Sequence, residues 1–231
     1  AFTEAKKDNN DKSTFHHSHA KNMAHRLATG DVLVNLDADN VTGKGFAEWI
    51  DTQFSENPDQ IVRRNVTNYV LAKRLYHENV DGACGRIVLS RAKFDQLHGY
   101  NESFEGWGGE DEELEARSIA IGLKKKALLP QHFGKVYQHG NDQRTQHLSE
   151  AGKQRSHENF ERARPRNSRI MNWADTLGTM TGIRQFNSYL DKVSGANPSG
   201  NFGCGEVTIL SRDGMTETKV MLAPQRHLEW K

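Results

Sequence analysis

A short apolar run that ends in two carboxylates constrains this chain more than any other feature. Val32-Leu33-Val34-Asn35-Leu36 reads as a buried parallel strand, and it leads straight into Asp37-Ala38-Asp39-Asn40. The turn residues Thr42-Gly43 follow. Lys44 to Phe54 then places Phe46, Trp49, Ile50 and Phe54 on one side of an amphipathic helix. Strand, acidic turn and helix are the grammar of an α/β sheet, whose ligands gather at the carboxyl ends of its strands. Two carboxylates one residue apart at a fraying strand end can offer hard oxygen ligands to Mn²⁺ or Mg²⁺, and a cation there can hold a diphosphate. The plainer alternative is that the pair caps the following helix.

Pattern extends the reading along the chain. Ser18 to Thr29 is predicted to be a helix, with Ser18 as N-cap and Gly30 closing it. Asp59 to Val80 holds one or two strands and a loop. Gly85 to Ser90 is a strand, and Arg91 to Leu97 a short helix ending at His98-Gly99. Glu110 to Ile121 is a helix with Gly122 at its C-terminal cap. Strands recur near Lys125 to Leu129 and Lys135 to Gln138. Ser149 to Arg164 is a polar, basic helix ended by Pro165, whose interspersed acids make it a solvated face. Ser168 to Val193 is mostly helical, and Glu206 to Leu222 alternates about Arg212-Asp213-Gly214 as a hairpin.

Composition excludes several classes. A formal net charge of +1 over 231 residues gives no field that would draw the chain onto nucleic acid. No apolar run approaches the ~20 residues needed to span a bilayer. Two cysteines, Cys84 and Cys204, are too few for a disulfide framework, which makes a cytoplasmic or membrane-peripheral location the expectation.

A second cluster is Gly106-Trp107-Gly108-Gly109-Glu110-Asp111-Glu112-Glu113. Four acids in a row suit the positive end of a helix dipole, which accounts for having acids there. It does not account for three glycines around one Trp. Such a loop can move, and its aromatic plate suits stacking on a sugar ring. His139 follows a predicted strand, but it is one of eleven histidines and by itself decides nothing.

Together these residues resemble a known family. Ser18 to Asn167 is similar to the GT-A glycosyltransferases, most closely the inverting β-1,4-galactosyltransferase-like group, in its C-terminal region, and its bacterial family 2 relatives. Leu36-Asp37-Ala38-Asp39 matches the family's Asp-x-Asp motif, and Ala20-Lys21-Asn22 its Arg/Lys-Asn one helix earlier. Gly85 to Ser90, with Phe94 and Gly99-Tyr100, matches the glycine-containing strand and helix. Phe104 to Asp111 follows the Trp-Gly-Trp-Gly-Gly-Glu-Asp signature almost letter for letter, and this is the most specific match.

The resemblance implies an α/β fold, a GT-A type mixed sheet flanked by helices. The nucleotide-binding strands that open that fold are not found before Val32, so residues 1–167 are expected to be its metal and acceptor half. Residues 168–231 would be a helix and hairpin extension of structural duty. The implied activity is metal-dependent transfer, with inversion, of a sugar from a nucleotide-sugar donor, UDP-linked, to a glycan acceptor. Mn²⁺ (or Mg²⁺) would sit on Asp39 and His139, although the Met that some members place three residues before that His is Val136 here. Asp37, Asn22, Gly85, Trp107 and Gly108 would line the substrate site. Asp111 would be the general base and Glu110 would orient the acceptor, with Glu113 a bystander whose neutralisation changes little. Two other readings stay open: a non-catalytic carbohydrate- or nucleotide-binding relative, and a retaining N-acetylgalactosaminyltransferase-like enzyme.

Overall fold

The computed structural model describes residues 16–64, 74–75, 85–104, 106–132, 134–137, 146, 148–163, 197, 201–210 and 217–223. Its elements, in chain order, open with α1 (His17–Leu27), β1 (Val32–Asn35), β2 (Asn40–Val41), α2 (Phe46–Glu56) and β3 (Gln60–Arg63). Next come β4 (Ile87–Ser90), α3 (Arg91–Gln96), α4 (Glu110–Ala120) and β5 (Lys124–Ala127). After a 3-10 turn at Pro130–His132 follow β6 (Lys135–Val136), α5 (Glu150–Ala163), β7 (Gly205–Leu210) and β8 (Glu217–Leu222).

The central sheet is mixed, in the order β1-β4-β3-β5. β4 runs antiparallel to both neighbours, and β3 pairs parallel with β5. β1, β3 and β5 therefore share one direction and finish at one end of the sheet. Asn35 sits opposite Ile87, the first residue of β4, and Arg63 pairs with Ala127. This corrects one expectation. β1 is not a buried parallel strand: it is the outer strand of the sheet, pairs antiparallel with β4, and leaves Val34 and Leu36 exposed. An apolar run reads the same whichever way its neighbour points.

Alternation on the inner strands splits the core into two layers. Val62 and Val88 face one side, where Phe46, Ile50 and Phe54 project from one stripe of α2 and meet Leu128 and Val136. Leu33, Ile61, Ile87 and Leu89 face the other, against Phe94, Leu97, Tyr100 and Leu114. Phe202 belongs to this second layer at 1% exposure, so the chain returns to the main core after residue 168. Arg26 holds that return in place, donating to the carbonyls of Phe202, Gly203 and Ala223. β7 and β8 form their own antiparallel pair, as the alternation predicts. The turn between them and the helical stretch expected from 168 to 193 lie outside the described residues.

The ends of α1 differ from expectation. It begins at His17 with His16 as N-cap, while Ser18 is buried inside its first turn and the cap at the far end is Ala28. The buried positions of α1 are His17, Ser18, Asn22, Met23 and His25. This face is mixed in what it meets: Asn22 is hydrogen-bonded to Tyr100 and Glu102, while His25 packs edge-on against Phe94. Among the described residues no helix is long and apolar enough to cross a membrane.

Candidate active site

The glycine-rich loop ahead of α4 owes its path to its glycines. Gly106, Gly108 and Gly109 all sit at positive φ, between +85° and +90°, where a side chain is strained. Close approach adds a second reason at Gly108, where a Cβ would fall 2.2 Å from Cζ of Phe160. The loop rests on α5. Trp107 N–H donates to Ser156 Oγ (2.8 Å), and its indole meets Phe160 edge-on, with ring centroids 5.4 Å apart. Trp107 keeps 37% of its surface exposed.

Gly109 then delivers Glu110 and Asp111 into the first turn of α4, and α1 meets them with cations. Lys21 Nζ donates to Glu110 Oε1 (2.8 Å) and to Asp111 Oδ1 (3.0 Å). His17 Nε2 lies 2.9 Å from Glu110 Oε2, at ion-pair distance though outside hydrogen-bond geometry. His17 and Lys21 stand four residues apart, so one face of α1 presents both. Both oxygens of Glu110 are thereby taken. At Asp111, Lys21 holds Oδ1, no hydrogen bond reaches Oδ2 from the described residues, and the side chain is 13% exposed.

The two acids are pushed apart in pKa. Burial works to raise Glu110, but His17 and Lys21 outweigh it and hold the carboxyl well below the ordinary range. Asp111 goes the other way: burial first, then the charge of Glu110, push it up to about 7, against the pull of Lys21 and Arg63. Burial opposes the charge on Lys21, yet Asp111 and Glu110 prevail and raise its pKa. Neighbouring acids whose environments drive them apart in this way are a mark of acid–base function.

The next acids of the helix serve the fold. Glu113 is fully buried and takes a two-pronged bond from Arg117, Nε to Oε1 at 2.6 Å and Nη2 to Oε2 at 2.7 Å. Arg117 in turn holds the carbonyls of Leu97 and Gly99. The expectation that Glu113 is a bystander is therefore corrected. Glu115 is paired with Arg63 (2.6 Å) and with Lys125.

The acidic turn lies at the same end of the sheet. Asp37 stands two residues beyond β1, and Arg63, the last residue of β3, donates from Nη1 to the backbone oxygen of Asp111 (2.9 Å). Asp37 and Asp39 are half-buried. Asn40 Nδ2 donates to Asp39 Oδ1 (2.7 Å), and Arg86 Nε donates to Asn40 Oδ1 (2.8 Å). Burial lowers the Arg86 guanidinium to about 10 while the charges of Asp37 and Asp39 support it, so a fixed cation backs the turn. Gly85 packs directly on Asp37, where a Cβ would fall 2.3 Å from Oδ2. Asp37 and Asp39 are hard oxygen donors of the kind that share a Mg²⁺ or Mn²⁺ ion with phosphate and water oxygens. Among the described residues no group of three or more His, Cys, Asp or Glu could hold a metal ion. His139 lies outside the described residues.

Asn22, expected to touch substrate, is tied to the turn after α3 by its own amide. It is fully buried, donates to Tyr100 O and Glu102 Oε1 (both 2.8 Å) and accepts from Tyr100 N–H (2.7 Å). Glu102 also takes Gly203 N–H (2.6 Å) and lies 2.9 Å from His19 Nδ1, which joins α1 to the returning chain. Sequence reasoning placed Lys21 and Arg86 inside matched motifs but gave no role to either, nor to His17 or Arg63. The spacing of His17 and Lys21 on one helix face was the available signal.

Comparison with known proteins bears on this same region. Residues 69–142 match a family model described as the N-terminal domain of galactosyltransferase. Human β-1,4-galactosyltransferase 4 is 31% identical over 102 residues, which are 44% of this chain and 27% of that protein. The chain thus spans about a quarter of the length of the curated relative it matches. A crystal structure of a mycobacterial protein aligns over 86% of this chain and 58% of its own, with a TM-score of 0.32 and 14% identity, too slight a likeness to bear on the fold. Across residues 69–142, which carry the glycine loop and both acids of the α4 terminus, this chain is galactosyltransferase-like.

Proposed function

We propose that this chain acts, on a GT-A type fold, as an inverting glycosyltransferase that moves a sugar from a UDP-linked donor to a hydroxyl of a glycan acceptor. The observation that carries this reading is the division of labour at the α4 terminus. Glu110 has both oxygens engaged, while Asp111 has one held by Lys21 and keeps part of its side chain exposed. The likeness to galactosyltransferases over residues 69–142 supports it.

In this reading Asp111 Oδ2 takes the proton of the acceptor hydroxyl. The freed oxygen forms a bond to the anomeric carbon as the bond from that carbon to the diphosphate breaks, and UDP leaves. Trp107 packs against the sugars, and Glu110 anchors α1 on α4. Asp39, with His139, would hold Mn²⁺ (or Mg²⁺), and Asp37 would lie nearer the donor. A cation bound there supplies Lewis-acid stabilisation of the departing diphosphate. Gly85 allows Asp37 its place, and the Arg86–Asn40 pair orients Asp39.

The test is incubation of the chain with Mn²⁺, a panel of UDP-sugars and glycan acceptors, with the product read by NMR of its anomeric proton. A β-linked product from an α-linked donor is expected. A product of retained configuration would overturn inversion, and saturable donor binding without transfer or hydrolysis across the panel would favour a binding protein.

A further inference from the structure

Among the described residues Lys21 is the one cation that touches both acids of the α4 terminus, and it reaches them from a helix ninety residues earlier in the chain. Its Nζ also sits 5.0 Å from the centroid of the buried Tyr100 ring. We propose that Lys21 is the positioning residue of Asp111, clamping Oδ1 so that Oδ2 is the only oxygen offered to an acceptor hydroxyl and countering the negative charge that the neighbouring Glu110 imposes on it. The part concerning the acceptor rests on the reading of Asp111 as base; the clamp itself does not.

The geometry explains why a lysine on α1 is needed. Two adjacent carboxylates in a site this closed cannot both carry charge unless a cation lies between them. Arg63, reaching over from β3, gives its hydrogen bonds to the backbone oxygen of Asp111 and to Glu115, so it does not hold the Asp111 side chain. His17, from α1, reaches Glu110 only. Tyr100, in the turn after α3, brings a phenol that burial keeps neutral. Glu110, Glu112 and Glu115, on α4 itself, add negative charge. Among the described residues Lys21 is the group bonded to the Asp111 carboxylate, and so the one that fixes its orientation, while Arg63 adds a second pull on its charge without holding it. After proton transfer to Oδ2, Asp111 is neutral and Lys21 remains paired with Glu110; the clamp favours the charged carboxylate, so it keeps Asp111 ionised at a lower pH than burial and Glu110 alone would allow.

Titration of the side-chain carboxyl carbon of Asp111 by NMR, on the full chain and without substrate, tests the clamp. In Lys21→Met the Asp111 titration should move up by about one unit or more, as loss of a charge within 4 Å requires, whereas Lys21→Arg should stay close to wild type. A folded Lys21→Met whose Asp111 titrates as in wild type would overturn the proposal. Should Lys21→Met fail to fold, the reciprocal measurement decides. In Asp111→Asn, which nearly preserves shape, the Lys21 ammonium should titrate measurably lower than in wild type, and an unchanged value would refute the clamp. Neither readout uses turnover, so failure of the glycosyltransferase reading would appear separately, as absence of transfer by a wild type whose titrations are coupled.

Discussion

The chain carries two acidic sites, and they are built in opposite ways. At the α4 terminus the carboxylates are closed in and met by basic side chains brought from distant elements, Lys21 and His17 from α1, while Arg63 from β3 holds the backbone oxygen of Asp111. At the turn after β1, Asp37 and Asp39 are half-buried, and their counter-charge, Arg86, touches the turn through Asn40. The first arrangement drives the pKa values of two neighbours apart, with Asp111 raised. The second leaves two carboxylates partly open to solvent, as the proposed metal role requires. Burial with a shared lysine suits proton transfer, and partial exposure with a remote arginine suits metal binding. Since both lie at one end of the sheet, one reaction could use both.

The largest expected effect falls on the first site. Asp111→Asn should cut turnover by roughly 10²–10⁴-fold, the usual contribution of a general base, in steady-state kinetics with a proven donor and acceptor. Glu112→Gln, a change at the half-buried neighbour, should leave turnover within a few-fold; an equal loss in both would erase the distinction between them. Glu113→Gln sharpens the contrast within a single helical turn. It breaks a fully buried ion pair with Arg117, so urea denaturation should show a loss of about 3–5 kcal/mol.

Smaller effects belong to the second site. Gly85→Ala would drive a methyl into the Asp37 carboxylate, and denaturation should register about 1–3 kcal/mol, the scale of overpacking. If the glycine were only a feature of the chain path, Ala would be accepted. Asp39→Ala should weaken Mn²⁺ binding by calorimetry roughly tenfold or more, the scale on which even outer partners of a metal ligand register. Equal affinity in both proteins would remove the metal from this turn.

Much of the second site was legible in sequence, and much of the first was not. The Asp37-Ala38-Asp39 turn, the strand before it and α2 after it follow from local pattern, because each is made of residues adjacent in sequence. The acids at the α4 terminus were equally visible. What holds them was not. α1 buries a polar face, so its pattern of apolar residues gives no hint that Lys21 and His17 point inward. Asn22 looked like a substrate contact because polar residues in a motif suggest ligands, yet its amide is spent on the Tyr100 backbone and Glu102. Glu113 and Arg117 stand four apart, a spacing that could have been read as an ion pair. The direction of β1 and the return of Phe202 to the core depend on contacts far along the chain, which no local window contains.

A single pH–rate comparison reaches the centre of this picture. With Asp111 raised to about 7, the base is protonated and idle below that pH and free above it. Wild-type kcat/KM should therefore rise with pH through the neutral range and then level off. In Asp111→Asn the residual rate should lose that ascending limb, while Glu112→Gln should keep it. An ascending limb that survives unchanged in Asp111→Asn would place the base on another residue and contradict the role assigned to Asp111.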